Sequence, residues 1–139
     1  NVSVGRGTEH PFEWVGAPWI DGSRLTEALT RAGLPGVRFE ATQFTPRAGP
    51  YQDKLCYGVT VQLLDRNAFD ATTLGALLVR ELYRLWPDTF QIDKTLGMIG
   101  SDDTLRRLKK GDPLEDIVAS WQVDLTAFNQ RRMRYLLYP

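Results

Sequence analysis

Val37-Arg-Phe-Glu-Ala-Thr-Gln-Phe44 and Tyr57-Gly-Val-Thr-Val-Gln-Leu-Leu64 are the two runs whose alternation decides the fold. In the first, Val37, Phe39 and Ala41 share one face and Arg38, Glu40 and Thr42 the other. In the second, Tyr57, Val59, Val61 and Leu63 fall together. A period of two is that of half-buried extended backbone, whose successive side chains point to opposite sides. Between the runs, Thr45-Pro-Arg-Ala-Gly-Pro-Tyr-Gln-Asp-Lys54 carries two prolines and a glycine. At about ten residues it exceeds the usual hairpin connection, and loops of that size are often functional.

Outward from this pair the pattern turns helical. Upstream, Leu25, Ala28, Leu29 and Ala32 recur at helical spacing over 23–32, with Asp21 or Ser23 as cap and Gly33 as stop. Downstream, Asp70 opens a stripe of Leu74, Leu77, Leu78, Leu82 and Leu85 that ends before Pro87. A shorter helix is predicted from Asp102 to Lys110, after Ser101 and before Gly111. The last is predicted to start at Asp112-Pro-Leu-Glu115, with Asp112 as cap, Pro113 at the first helical position and Glu115 three residues after the cap. Along it Ile117, Val118, Trp121, Leu125 and Phe128 share a face. Strands followed by helices, without strict alternation, imply an α+β fold: a small antiparallel sheet, helices packed on it, and a helical C-terminal half.

Composition bounds the function. A length of 139 residues fits a single domain spanning 1–139. At that size roughly 68% of the unfolded surface is buried on folding, enough for a core of its own. Apolar residues are 42% and charged residues 24%, ordinary for a globular chain. Seventeen basic side chains balance seventeen acidic ones, so no net field favours nucleic acid or an anionic membrane. No apolar run is long enough to span a bilayer. No signal-like segment opens the chain at Asn1, and the missing initiator Met leads us to expect a piece of a longer protein.

Metal and nucleophile chemistry find little support. His10 is the sole histidine and Cys56 the sole cysteine, short of the three or four convergent ligands zinc needs. We therefore expect neither metal nor cofactor. Cys56 adjoins a strand and reads as a small buried hydrophobe. Asp102-Asp103 and Glu115-Asp116 each occupy a helical first turn, where acids complement the macrodipole. Arg131, Arg132 and Arg134 sit at a helix C-terminus for the mirror reason. Nothing marks a pair of carboxyls by spacing for glycosidic or similar hydrolysis.

The N-terminal segment differs from the rest. Gly5, Gly7, Pro11 and Gly16 make 1–22 loop and short strand. Gly5 and Gly7 permit positive φ and close backbone approach on either side of Arg6, a planar charged fork suited to a carboxylate or to sugar oxygens. Without further context this is a tight turn bearing an exposed arginine.

Gly5-Arg-Gly-Thr8, Pro11-Phe-Glu13 and Gly16-Ala-Pro-Trp-Ile20 together form a signature that resembles the NamZ-like exo-β-N-acetylmuramidases. The resemblance continues through Leu34-Pro-Gly-Val-Arg-Phe39, Phe44-Thr-Pro46, Cys56-x-Gly58, Val61-Gln62 and the tail Arg132-x-x-Tyr135-Leu-Leu-Tyr138. Two positions depart from it: Val4 where many members carry Glu, and Tyr57 where a small residue is usual. The resemblance implies that the chain is the C-terminal domain of a two-domain protein. An N-terminal Rossmann-like domain would precede it, and 1–22 would line the cleft between them. It implies removal of terminal N-acetylmuramic acid from peptidoglycan fragments in the bacterial cell envelope or outside the cell. The catalytic carboxyls would lie in the preceding domain, and Arg6, Thr8, Glu13 and Tyr51 would bind substrate. Arg6 would meet the lactyl carboxylate, with Glu13 holding Arg6 or its loop. A different class stays open: a non-catalytic module that binds cell-wall glycan or associates with another subunit.

Overall fold

The computed structural model describes residues 1–138. Strands β1 (Trp14–Ala17), β2 (Val37–Phe44) and β3 (Cys56–Leu63) form an antiparallel sheet in the order β1-β3-β2. Helix α1 (Gly22–Arg31) follows β1, and α2 (Ala71–Leu85) follows β3. A 3-10 turn at Ile92–Thr95 leads into α3 (Leu96–Ile99), α4 (Asp102–Lys110), α5 (Leu114–Ser120) and α6 (Gln122–Arg132). The fold is α+β, as the alternating runs predict. No helix among the described residues is long and apolar enough to cross a membrane.

Helices cover one face of the sheet, and the N-terminal loop covers part of the other, where Arg38 and Glu40 stay exposed. Ala17, Val59 and Phe39 face α1 and α2 and join Leu25, Leu29 and Leu77 in the core. The register pairs Phe44 with Cys56 and Gly16 with Gly58, which puts Trp14, Phe44 and Cys56 on the reverse face. There the Trp14 and Phe44 rings lie 5.3 Å apart, and His10 from the N-terminal loop stacks 4.7 Å from Trp14. Cys56 is buried, and burial pushes its thiol pKa up, which makes it an inert filler. Alternation holds, yet its ends are bare: Tyr57 and Leu63 lie on the helix-facing side, and both are exposed.

Caps fix the helices. Asp21 accepts from Arg24 N at 3.1 Å, and Ser101 from Thr104 N at 3.2 Å. Asp70 does more, accepting from Thr72 N at 2.9 Å, Thr73 N at 3.2 Å and the Thr73 hydroxyl at 2.6 Å. The Thr73 hydroxyl does most to hold its carboxyl below the ordinary range; desolvation opposes it, and the two amides add to the lowering. A lowered native pKa contributes stability above the unfolded value, lost as pH falls through the native one. Asp70→Ala is expected to cost about 1 kcal/mol at neutral pH. The urea midpoints of wild type and Asp70→Asn should converge as pH drops below about 4. A gap independent of pH would contradict the assigned cap.

The last predicted helix is corrected in two respects. Asp112 is no cap: its carboxylate takes a 2.9 Å bond from Arg107 Nε, which lowers its pKa, and α5 starts at Leu114 without a side-chain cap. The helix also breaks at Trp121. Ser120 Oγ donates to Ile117 O at 2.6 Å, Trp121 N donates to Val118 O, and the indole turns to Thr104 Oγ1 at 3.0 Å. Such back-bonding tightens and bends a helix. Ile117 is buried, whereas Leu125 and Phe128 beyond the break are exposed.

Candidate functional site

Two loops meet at the reverse face of the sheet. The N-terminal loop is tied to β1 by a bridge between Ser3 and Gly16, with bonds of 2.8 and 2.9 Å. Phe12 N donates to Val4 O at 2.7 Å, which folds 5–11 into a compact turn. Val61 N donates to Glu13 O at 2.7 Å, which welds the loop's exit to β3. The second loop, 45–55, touches the first where Arg47 N donates to Arg6 O at 3.1 Å. Gly7 is required at this contact: at φ +74° its added Cβ would stand 2.8 Å from Arg47 Cβ.

The strained backbone of the protein collects here. Among the described residues, Phe12, Tyr51 and Asp53 are the non-glycine residues at positive φ, at 68°, 62° and 59°. All three sit on these two loops. Each such residue costs on the order of 1–3 kcal/mol and persists only where surrounding contacts impose it, commonly at functional sites.

The four residues expected to bind substrate take different places. Arg6 is exposed, its guanidinium 5.7 Å from the centroid of the Phe12 ring. No carboxylate among the described residues forms an ion pair with it. Thr8 is half-buried, and its hydroxyl donates to Gly5 O at 2.6 Å and accepts from His10 N at 3.2 Å. It therefore shapes the turn that presents Arg6. Glu13 does not reach Arg6; it is exposed and pairs with His10 Nδ1 at 3.0 Å. Tyr51 accepts from Trp19 Nε1 at 2.8 Å, and Trp19 lies edge-on to Trp86 at 5.7 Å. That chain of contacts anchors the second loop to the core.

Arg47 and Phe12 join the site without having been read from sequence. Arg47 is exposed and also without an ion pair among the described residues, so two free guanidinium groups stand on adjoining loops. The signal for Arg47 was its position in Pro46-Arg-Ala-Gly-Pro50, a stretch too constrained to be plain surface.

The arrangement suits binding an anion and gives no sign of bond cleavage. Among the described residues the buried carboxylate is Glu81, which Arg80 holds at 3.0 Å and Arg84 at 2.6 Å on its own helix, far from the role of a free acid. Asp70 and Asp112 have lowered pKa values, the opposite of what a general acid needs. No group of three or more metal-ligating side chains converges among the described residues.

Comparison with known proteins agrees with the signature. A crystal structure of a DUF1343 family protein from Bacteroides fragilis superposes with a TM-score of 0.83 at 26% identity, covering 99% of this chain and 38% of that one. The peptidoglycan β-N-acetylmuramidase NamZ of Bacillus subtilis is 37% identical across 99% of this chain. The chain spans 34% of that relative's length. Residues 1–138 match the family described as the C-terminal part of the exo-β-N-acetylmuramidase NamZ, and it is to this family that the chain belongs.

Proposed function

We propose that the chain serves as the substrate-reading part of a peptidoglycan-degrading glycoside hydrolase that removes terminal N-acetylmuramic acid. The observation that carries this is the Arg6 guanidinium, without an ion pair among the described residues, on a strained loop whose backbone bonds that of a second free arginine. N-acetylmuramic acid differs from N-acetylglucosamine by a lactyl ether ending in a carboxylate. A planar fork binds a carboxylate through two parallel charge-assisted hydrogen bonds. Arg6 is that fork, Arg47 adds a second positive charge, and exposed Phe12 offers an apolar face beside them.

Glycosidic cleavage needs one carboxyl to protonate the leaving oxygen and a second to act as base or nucleophile. In this reading both belong to a preceding Rossmann-like domain, and the two loops close the cleft over the sugar. The place of action is the bacterial cell envelope or the medium around it. The 139-residue chain alone is then expected to release no chromogenic aglycone from an N-acetylmuramide, while the longer natural protein turns it over. Full turnover by the short chain would put the catalytic carboxyls within it. A longer protein that binds cell-wall glycan without hydrolysing it would establish the binding-module reading instead.

A further inference from the structure

Helix α6 carries a face that this chain does not cover. Trp121, Leu125, Phe128 and Arg132 follow one another at spacings of four, three and four, one stripe along the helix. The stripe continues at helical spacing from buried Ile117, but among the described residues α6 buries no side chain, and its close neighbours are α5 and the turn at Met133–Tyr135 that extends the helix. Phe128 is 56% exposed, and beyond it Tyr135, Leu137 and Tyr138 are exposed at 78%, 90% and 82%. Large apolar side chains clustered this way mark an interface rather than ordinary surface.

We propose that α6 and the tail through Tyr138 form the seat on which the preceding part of the longer protein docks. Three observations select that occupant. The Bacillus relative is about three times as long as this chain, and the family description places the matched region at the C-terminal end. The Bacteroides structure, also much longer, superposes over 99% of this chain, so the domain keeps its form inside a longer protein. Arg131, Arg132 and Arg134 lie on the same segment, at the end of α6 and in the turn after it, without an ion pair among the described residues, and acidic groups on the docked surface would match them. The inference rests on the two-part architecture of the proposed function and not on its chemistry.

Hydroxyl-radical footprinting of the 139-residue chain and of the longer natural protein tests it, with light scattering confirming that both are monomeric. Phe128, Tyr135 and Tyr138 should be modified several-fold less in the longer protein. Equal modification would overturn the proposal. Protection that already appears in the short chain and grows with its concentration would also overturn it, in favour of a second copy. The Leu125→Asp/Phe128→Asp variant gives a second reading. It should leave the melting of the short chain unchanged and should lower or split the unfolding transition of the longer protein. An unchanged transition in the longer protein, or a destabilised short chain, contradicts the assigned seat. Neither readout depends on muramidase activity, so a failed seat and a failed enzyme reading remain distinguishable.

Discussion

Gly58→Ala is expected to abolish folding of the domain or to remove more than about 3 kcal/mol, beyond the usual 1–3 kcal/mol for overpacking. Gly58 lies in the central strand opposite Gly16. A Cβ added there would stand 1.9 Å from Val15 O and 2.6 Å from Gly16 Cα. Both atoms are backbone of β1, so no rotamer change relieves the overlap. Strand β1 must then leave β3, and with it go the Ser3–Gly16 bridge and the bond from Val61 N to Glu13 O that fix the N-terminal loop. Gly75→Ala is the control: it lies within α2 with nothing within 4 Å of its added Cβ. It should be neutral or stabilising, up to about 1 kcal/mol from helix propensity. Urea titration of the two variants decides the matter. A wild-type midpoint for Gly58→Ala would mean that β1 does not pack on β3 as described.

The fold was legible where local chemistry and tertiary packing agree. Strand β2 and helix α4 occupy the predicted spans. Strand β3 begins at Cys56, one residue earlier than alternation suggests. At its far end Leu64 N leaves the ladder and bonds Gly36 O at 2.8 Å. The turns at Ile92–Ile99 escaped because four-residue elements have no periodicity to detect. The break at Trp121 escaped because the apolar spacing runs through it unchanged. Spacing reports which side chains share a face, and says nothing of what covers that face. The site was legible only in part. Gly5-Arg-Gly-Thr8 announced a presented arginine, but its meeting with Arg47 is a contact between loops distant in sequence. The bond that Tyr51 accepts from Trp19 likewise follows from tertiary placement, whereas Thr8 and Glu13 find their partners, Gly5 and His10, within their own turn.

Arg6 gives the second large effect, on selectivity rather than stability. Its side chain makes no ion pair among the described residues and rests on an exposed ring, so Arg6→Ala removes little that holds the domain together. Surface changes of that kind usually stay within about 0.5 kcal/mol. In the longer protein the same change deletes a hydrogen-bonding partner of the lactyl carboxylate. A charge-assisted bond that a competing sugar cannot make is worth about 1.5–3 kcal/mol, roughly ten- to a hundredfold in selectivity. Arg6→Lys should restore only part of it, because an ammonium lacks the planar fork.

The measurement that bears most directly on this account is the ratio of kcat/KM for N-acetylmuramide and N-acetylglucosaminide substrates, taken in the longer protein for wild type, Arg6→Ala and Arg6→Lys, alongside the Tm of each. The ratio should fall roughly ten- to a hundredfold in Arg6→Ala and recover in part in Arg6→Lys, at nearly constant Tm. An unchanged ratio accompanied by a lowered Tm would make Arg6 a structural member of its loop and contradict its role as reader of the carboxylate.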